Sequence, residues 1–440
     1  MATEKERLME NIVSLAKRRG FVFQGSEIYG GIAGMWDYGP LGVELAHNIK
    51  DIWWRMFVYN REDMYGIDAS ILMNPRVWET SGHTKTFSDP VIKCVKCKKQ
   101  FRADQLDNKN ACPACGGKLS KSQPFNLMFK TYIGATEDSD SISYLRPETA
   151  GGIFVNFKNV VDSMHPKLPF GIAQIGKAFR NEIAPRDFLF RLRELKQMEI
   201  EYFVRAEEWE RAFEEWRLAM LAFAKEVGIP KKVIHELEVP ESERAHYSKR
   251  TIDFEFDYPF GKKELWGLAY RTDYDLSRHA EASGADLTYF DEEENKRFIP
   301  HVIEPSFGVD RTFLAVLLSA YRVDEIKGEK RVFLAFKPAV APIKVAVFPL
   351  LKNKPELVTK ARNIYQMLKK HIPQIDFDDN GNIGKRYRRQ DEIGTPYCVT
   401  IDFDTLEDNT VTLRDRDTTE QERVNEKNLL EILKKKLVSF

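Results

Sequence analysis

Polar and apolar side chains alternate along residues 169–203, which is typical of two β-strands joined by a long loop. On the first arm, Gln174 and Arg180 fall on one face, because side chains two positions apart in a strand share a side. On the second arm, Glu199 and Glu201 share a face, and apolar residues point the other way, as in a half-buried strand. The pattern predicts a rigid hairpin with one polar face of mixed sign.

In other segments the apolar positions repeat at different spacings. Residues 40–59 and 207–227 repeat their apolar positions at the spacing of an amphipathic helix, and a short strand is predicted over 65–73. Residues 298–321 predict a strand that runs into a helix, with a glycine at the junction. From residue 341 onward, short strands alternate with helices, which indicates a separate α/β domain with mixed strand pairing.

The composition narrows the class of protein. A chain of 440 residues is long enough for two or three domains. Its 67 Lys and Arg residues equal its 67 Asp and Glu residues, so nucleic acid would be bound through local patches. No apolar run is long enough to span a bilayer, and the charged N-terminal segment has no signal-peptide core. We expect a cytoplasmic protein without membrane contact.

Four of the five cysteines form two CxxC pairs in a segment over 86–123 that is rich in lysine and turn residues. Two such pairs can supply four thiolates to one tetrahedral ion, and a reducing compartment favours metal over disulfides. We therefore expect a structural Zn²⁺ ion at Cys94, Cys97, Cys112 and Cys115. Four free thiols and an iron site are the alternatives.

The loop of the hairpin, residues 181–194, contains Arg186, Arg191 and Arg193. Guanidinium groups beside a polar sheet suit a polyphosphate, because the planar fork binds phosphate oxygens in pairs and stays charged. On composition alone, a solvated hairpin tip with paired charges is the alternative.

Short motifs place the hairpin in a family. FRNE is followed by RLRE and QMEIE across the hairpin, LRPET precedes it, and EPSFGVDR lies at the strand-to-helix junction. Together with GKRYRRQDEIGTP near the C-terminus, they resemble the class II aminoacyl-tRNA synthetases, and among these the glycyl-tRNA synthetases of the homodimeric type. The resemblance spans nearly the whole chain.

The resemblance implies an α/β (α+β) fold. An antiparallel sheet is expected to form the catalytic domain over 1–340, with a zinc-ribbon insertion at 86–123 and an α/β insertion at 204–257. An anticodon-binding α/β domain is expected at 341–440. The three class II motifs fall at about 35–75, 170–203 and 298–321. In this family the first of them forms the dimer interface, so a homodimer is expected.

The implied activity is that of an ATP-dependent ligase. It would activate glycine to glycyl-adenylate, with Mg²⁺ at the phosphates, and transfer glycine to the 3′ end of tRNA(Gly). A synthetase-like protein that binds nucleic acid without catalysis is the alternative. The presence of Arg180, Glu199, Glu304 and Arg311 argues against it.

The resemblance also assigns roles to single residues. Arg180, Arg311 and Glu264 are expected to act in catalysis, with Glu264 close to Mg²⁺. Expected at ATP are Arg180, Asn181, Glu182, Phe190, Arg191, Leu192, Arg193, Glu194, Leu195, Glu264, Leu265, Gly308, Val309, Asp310 and Arg311. Expected at glycine are Arg102, Glu148, Leu195, Lys196, Gln197, Met198, Glu199, Glu304, Pro305, Ser306, Phe307 and Gly308. Expected at tRNA are Lys385, Arg386, Tyr387, Arg388 and Arg389.

Several of these residues have a plainer interpretation from the sequence alone. Glu148 suits a helix N-terminus, and Arg102 suits the surface of the zinc ribbon. Asp273 and Asp275 are alternative cation ligands or turn caps. The C-terminal basic cluster also suits a solvated charge run.

The chain departs from the family pattern at two positions. Gly151 stands where the family usually has glutamine, and Leu195 stands where an aromatic residue usually stacks on adenine. Loss of that stacking would weaken ATP binding by about 1 kcal/mol.

Overall fold

The computed structural model describes residues 4–106, 108–245, 247–326 and 328–438. A π-helical turn, Arg55–Tyr59, continues the second helix. The α-helices are α1 (Glu4–Arg18), α2 (Pro40–Trp54), α3 (Arg76–Thr80), α4 (His83–Thr86), α5 (Ala150–Met164), α6 (Trp209–Glu226), α7 (Tyr274–Ser283), α8 (Val309–Ala320), α9 (Pro355–Lys369), α10 (Ile383–Ile393), α11 (Phe403–Asp408) and α12 (Glu426–Val438).

The strands form one large sheet, a second sheet near the C-terminus and several small ones. They are β1 (Val22–Gln24), β2 (Trp36–Tyr38), β3 (Met64–Gly66), β4 (Ser88–Lys93), β5 (Gln100–Arg102), β6 (Gln123–Asn126), β7 (Phe129–Tyr132), β8 (Ile142–Leu145), β9 (Phe170–Phe179), β10 (Glu194–Val204), β11 (Ile234–Glu238), β12 (Arg250–Tyr258), β13 (Gly261–Thr272), β14 (Tyr289–Asp291), β15 (Lys296–Phe298), β16 (His301–Gly308), β17 (Tyr321–Ile326), β18 (Glu329–Leu334), β19 (Val345–Pro349), β20 (Ile375–Phe377), β21 (Tyr397–Ile401), β22 (Thr410–Asp415) and β23 (Gln421–Asn425).

The large sheet has seven strands in the order β11-β12-β13-β16-β10-β9-β3. The predicted hairpin is confirmed as the neighbouring strands β9 and β10, paired antiparallel from Phe170↔Phe203 to Phe179↔Glu194. The other pairs are antiparallel too, except that β3 runs parallel to β9. The predicted strand-to-helix corner is confirmed as β16 followed directly by α8.

Both faces of this sheet are covered, which corrects the expectation of a half-buried hairpin. Apolar side chains such as Met198 and Ile200 pack with α2, α6 and α8 in the main core. On the opposite face, α5 and α7 cover one end of the sheet. The polar residues Glu199 and Glu201 point to this second face, and they are only 1% and 0% exposed. The hairpin therefore holds its acidic side chains in the interior.

Two sequence predictions need correction. The strand predicted over 65–73 is shorter, because only Met64–Gly66 pairs, parallel to β9, as a strand at the sheet edge. The segment 204–257, predicted as an insertion, contributes α6 to the core and β11 and β12 to the seven-stranded sheet itself. It is therefore an integral part of the seven-stranded sheet.

The C-terminal part forms its own five-stranded sheet, in the order β20-β19-β21-β22-β23, with both parallel and antiparallel pairs as predicted. It is tied to the first part of the chain by polar contacts. Glu392 on α10 accepts hydrogen bonds from Arg18 at 3.2 Å and Arg19 at 2.5 Å, and Asn48 on α2 donates to the carbonyl oxygens of Val340 and Ala341. Among the described helices, none is both long and apolar enough to cross a membrane.

Candidate active site

A cavity of about 290 Å³ lies over the polar face of the central strands. We call it the arginine cavity, because Arg102, Arg180, Arg191 and Arg311 line it. They come from β5, the hairpin loop that follows β9, and the first turn of α8, so the fold brings together three stretches that are distant in sequence. Four guanidinium groups around one small space favour a polyanionic ligand.

Each of these arginines is oriented by a neighbour. The Arg180 side chain donates to the carbonyl oxygen of Pro147 at 3.0 Å. Arg311 forms an ion pair with Glu264 at 3.0 Å, and its guanidinium carbon lies 4.5 Å from the centre of the Phe190 ring. The charge of Arg311 lowers the pKa of Glu264, which keeps that carboxylate ionised. Glu264 thus presents an ionised carboxylate at the cavity wall.

A second cavity, of about 270 Å³, adjoins the first. We call it the carboxylate cavity, because Glu148, Glu199 and Glu304 line it. The two cavities have four lining residues in common, namely Arg180, Gln197, Glu264 and Ser306. The arrangement provides adjoining sites for an anionic group and for a cationic group.

Glu148 is held by a residue that the sequence did not reveal. His83 Nε2 lies 3.3 Å from Glu148 Oε2, and His83 Nδ1 lies 2.8 Å from Ser81 Oγ. Burial, the largest cause, raises the pKa of Glu148, but His83, Arg271 and Arg180 together outweigh it and lower that pKa to about 2. Glu148 is therefore ionised at neutral pH, next to the first turn of α5.

Glu199 is surrounded by hydrogen-bond donors. Its carboxylate accepts from the backbone N–H of Thr149 at 3.1 Å, from the Thr149 hydroxyl at 2.5 Å and from Ser306 at 2.9 Å. Burial and the charge of Glu148 nevertheless raise its pKa. These contacts fix Glu199 at the junction of the two cavities.

Glu304 pairs with a buried arginine. Arg271 Nη1 donates to Glu304 at 2.9 Å, and the other nitrogens of that guanidinium bind both oxygens of Asp275, at 2.7 and 2.8 Å. Asp275 is fully engaged by Arg271, so its interpretation as a cation ligand is wrong. Asp273 is the N-cap residue of α7, and its carboxylate accepts from the Ser277 hydroxyl at 2.9 Å, with no side-chain hydrogen bond to a backbone N–H of the helix.

Glu201 lies behind these residues. It is completely buried, and neither of its oxygens has a hydrogen-bond partner in the part of the chain that the structure describes. Oxygen atoms of Glu199, Glu201 and Glu304 lie within 4.8 Å of one another. Burial and the charge of Glu304 raise the pKa of Glu201 well above its ordinary value, so this group favours the protonated form.

Most of the residues predicted at ATP and glycine line one of the two cavities. Four of the residues predicted at glycine line neither cavity: Lys196, Met198, Pro305 and Phe307. All but Lys196 are buried. Met198 and Phe307 point to the opposite face, as the strand period of two requires, and the Lys196 amine lies 3.9 Å from the Tyr38 ring. Four of the residues predicted at ATP also lie outside both cavities: Asn181, Arg193, Glu194 and Val309. Arg193 donates to the carbonyl oxygens of Glu182 and Ala33. Val309 is in the core.

The structure shows which residues lie beside the two positions that depart from the family pattern. A Cβ atom at Gly151 would lie 2.9 Å from the indole ring of Trp78, so the buried Trp78 occupies the space that a longer side chain would need. Leu195 lines the arginine cavity as expected, and Phe190 supplies an aromatic ring to the same cavity.

The four cysteines converge as predicted. The sulfur atoms of Cys94 and Cys115 lie 3.5 Å apart, and those of Cys97 and Cys112 lie 3.7 Å apart. Four sulfurs at the usual Zn–S distance of about 2.3 Å define a tetrahedron with edges of about 3.8 Å. The donor set and its spacing therefore fit Zn²⁺.

The basic cluster on α10 requires a correction. Arg386 is 1% exposed, and its guanidinium donates to the carbonyl oxygens of Pro349, Asp379 and Gly381. The Tyr387 hydroxyl bonds to Thr400 at 2.6 Å, and its ring packs on Phe348. Arg386 and Tyr387 therefore stabilise the domain itself. Lys385 and Arg388 are exposed, although Arg388 pairs with Glu329, and Arg389 is tied to Asp378 at 2.5 Å.

Comparisons with known proteins agree with this geometry. A model described as "tRNA synthetase class II core domain (G, H, P, S and T)" matches residues 130–321, and one described as "Anticodon binding domain" matches residues 344–436. A protein of Caldanaerobacter subterraneus subsp. tengcongensis is 50% identical, over 98% of each chain. Proteins of Thermobifida fusca (51%, over 96% of each chain) and Treponema denticola (49%, over 98% of each chain) are similarly related. All three are named glycine–tRNA ligase.

Proposed function

The chain belongs to the glycine–tRNA ligase family of class II aminoacyl-tRNA synthetases, and on that premise we propose that its two adjoining cavities catalyse the two steps of glycine attachment to tRNA. In the first step, glycine and ATP give glycyl-adenylate and pyrophosphate. In the second, the terminal ribose of tRNA(Gly) takes the glycyl group. The observation that supports this most directly is an arginine-lined cavity that joins a carboxylate-lined one at Arg180 and Ser306.

ATP occupies the arginine cavity in this proposal. Arg180, at the junction, contacts the α-phosphate and the glycine carboxylate, while Arg191 and Arg311 contact the outer phosphates. The attacking glycine carboxylate is already ionised, so the step depends on positioning and on neutralising the charge that grows on the phosphate. Glu264 would help to hold Mg²⁺, whose other ligands are phosphate oxygens and water, and the ion would supply further charge neutralisation.

The glycine ammonium group occupies the carboxylate cavity, between Glu148, Glu199 and Glu304. Glu148 is charged and Glu199 is fixed by three donors, so the acceptors are in place before glycine binds. A larger amino acid would have to displace these packed side chains. Overpacking of a rigid site costs about 1–3 kcal/mol, which is the proposed basis of selection against alanine.

Three further features complete the proposal. The cysteine cluster holds a structural Zn²⁺ ion, and a metal assay on the purified protein tests this directly. A homodimer forms through the region of the first motif, at about residues 35–75, where Tyr59 is 78% exposed. The protein works in the cytoplasm, where thiolates stay reduced.

Pyrophosphate exchange with a panel of amino acids, followed by charging of total tRNA, tests the proposal. We expect exchange with glycine alone and charging of tRNA(Gly). Glu304→Ala should abolish exchange, whereas Glu293→Ala, at an exposed position, should not change it. Exchange without charging would point to another acceptor, and no exchange by a folded protein that binds RNA would support the non-catalytic alternative.

A further inference from the structure

One row of residues crosses five strands of the large sheet. Asp253 on β12 pairs with Gly267 on β13, Gly267 pairs with Ser306 on β16, Ser306 pairs with Glu199 on β10, and Glu199 pairs with Gln174 on β9. Paired residues in neighbouring strands point to the same face. The side chains of Asp253, Ser306 and Glu199 therefore lie on the same face of the sheet. Asp253 is at the β12 end of the row.

Gly267 leaves a gap in this row. A Cβ atom at that position would have no atom within 4 Å, so the floor between Asp253 and Ser306 is open. Their strands lie on either side of β13, which puts the two backbones roughly 10 Å apart at two strand spacings. A gap of this width accommodates the reacting carbonyl group with its attacking and leaving oxygens, flanked by Ser306 on one side and Asp253 on the other.

Asp253 is not used by the fold. It lines the carboxylate cavity, and no residue among those described donates a hydrogen bond to it. The charged groups that act on Asp253 are Glu255 on its own strand, Glu264 on β13 and Arg311 on α8. Glu243 and Arg244 also line the carboxylate cavity. Burial, the largest cause, raises the pKa of Asp253, which makes it a better proton acceptor than an exposed aspartate.

The first step of the reaction has no need of this group. The glycine carboxylate attacks as an anion, and Glu148, Glu199 and Glu304 already surround the ammonium site. The second step differs, because the attacking ribose hydroxyl carries a proton that must be removed. The cavity offers an unpartnered carboxylate on the side opposite the ammonium site.

We propose that Asp253 is the general base of the transfer step, an inference that rests on the proposed function. The ribose oxygen attacks the carbonyl carbon of glycyl-adenylate and its proton passes to the Asp253 carboxylate. The new ester bond forms, the bond between the carbonyl carbon and the phosphate oxygen breaks, and AMP leaves with the electron pair. The proton is then released to solvent.

The test separates the two steps. Asp253→Asn keeps the size and removes the base, and Asp257→Asn makes the same change at an exposed position on the same strand. Pyrophosphate exchange with glycine is measured for each variant. Transfer from the preformed enzyme-bound adenylate is then measured in a single turnover at saturating tRNA. For Asp253→Asn we expect exchange within threefold of wild type and transfer slowed about 10²–10⁴-fold, with the Asp257 variant unchanged in both.

Transfer by Asp253→Asn within threefold of wild type would overturn the proposal, as would a loss of exchange as large as the loss of transfer. Absence of glycine exchange in the wild-type protein would overturn the proposed function itself. Asp253→Glu keeps a carboxylate, and we expect its transfer rate to exceed that of Asp253→Asn. If the asparagine variant fails to fold, Asp253→Glu alone tests the proposal. A transfer rate of Asp253→Glu below 1% of wild type, with normal exchange, would then count against a role for the carboxylate.

Discussion

Two arginine-rich segments of this chain look alike in sequence and differ in structure. In the hairpin loop and the turn of α8, Arg191 and Arg311 line a cavity, and their neighbours orient them without covering them. On α10, Arg386 is buried and donates to three backbone carbonyls, and Arg389 is tied to Asp378. The comparison shows that an arginine is within reach of a ligand when its guanidinium lines an open cavity, and is out of reach when backbone carbonyls enclose it.

Removal of a cavity arginine is the strongest test of this comparison. Arg311→Ala removes a cation from the wall of the arginine cavity, and we expect pyrophosphate exchange to fall by about 10²–10³-fold. Arg297→Ala, an exposed arginine outside both cavities, should leave exchange unchanged. Equal effects of the two substitutions would contradict the distinction.

The buried arginine should affect stability instead. Arg386→Met leaves three carbonyl oxygens without their donor, and we expect a loss of about 2–4 kcal/mol in the free energy of unfolding of the C-terminal domain. Thermal unfolding with a probe in that domain measures this. A variant with unchanged stability and weakened tRNA binding would restore the RNA-contact interpretation.

The contrast between buried and accessible charged residues also applies to an acid. Glu201 is buried without a hydrogen-bond partner in the described structure. Burial and Glu304 hold its pKa well above 4.5, so the folded chain keeps a proton that the unfolded chain releases as pH rises. Stability therefore falls with rising pH above 4.5, by at most about 1.4 kcal/mol per pH unit for this group. Glu201→Met should raise the thermal midpoint more at pH 8 than at pH 5.5. An equal change at both values would indicate that Glu201 does not titrate abnormally.

The smallest expected effect lies at the exposed end of the basic cluster. Lys385→Ala should weaken tRNA binding by only about 0.5–1 kcal/mol and reduce its dependence on salt, because one cation near a phosphate contributes little. Filter binding at several salt concentrations measures this, with Lys369→Ala on α9 as the control. A tenfold loss of affinity would mean that the cluster contributes more than its geometry indicates.

Strand alternation in the sequence predicted the polar face of the hairpin, whereas the roles of Glu148, Glu264, Glu304 and Arg311 came from the resemblance to the family. It placed Gln174, Glu199 and Glu201 on one face of the hairpin, and the structure shows them on that face. The spacing of the CxxC pairs likewise predicted the convergence of four sulfur atoms. In both cases the signal is local, because the residues lie within one hairpin or one short segment.

Contacts between distant residues could not be read from local patterns. His83 reaches Glu148 from another segment, and Arg271 reaches Glu304 from a neighbouring strand. The burial of Arg386 depends on a carbonyl at Pro349, which no helical period reveals. Gly151 likewise makes sense only once Trp78 is seen beside it.

The contacts between α1 and α10 bear on how this chain can be divided. Arg18 and Arg19 share Glu392, and Asn48 holds the backbone at Val340 and Ala341. A fragment that ended near residue 341 would lose the acceptor of both arginines and disturb the carbonyl groups that Asn48 caps. Truncation at the domain boundary would therefore remove more than an RNA-binding module, since it would also remove contacts that stabilise the remaining N-terminal part.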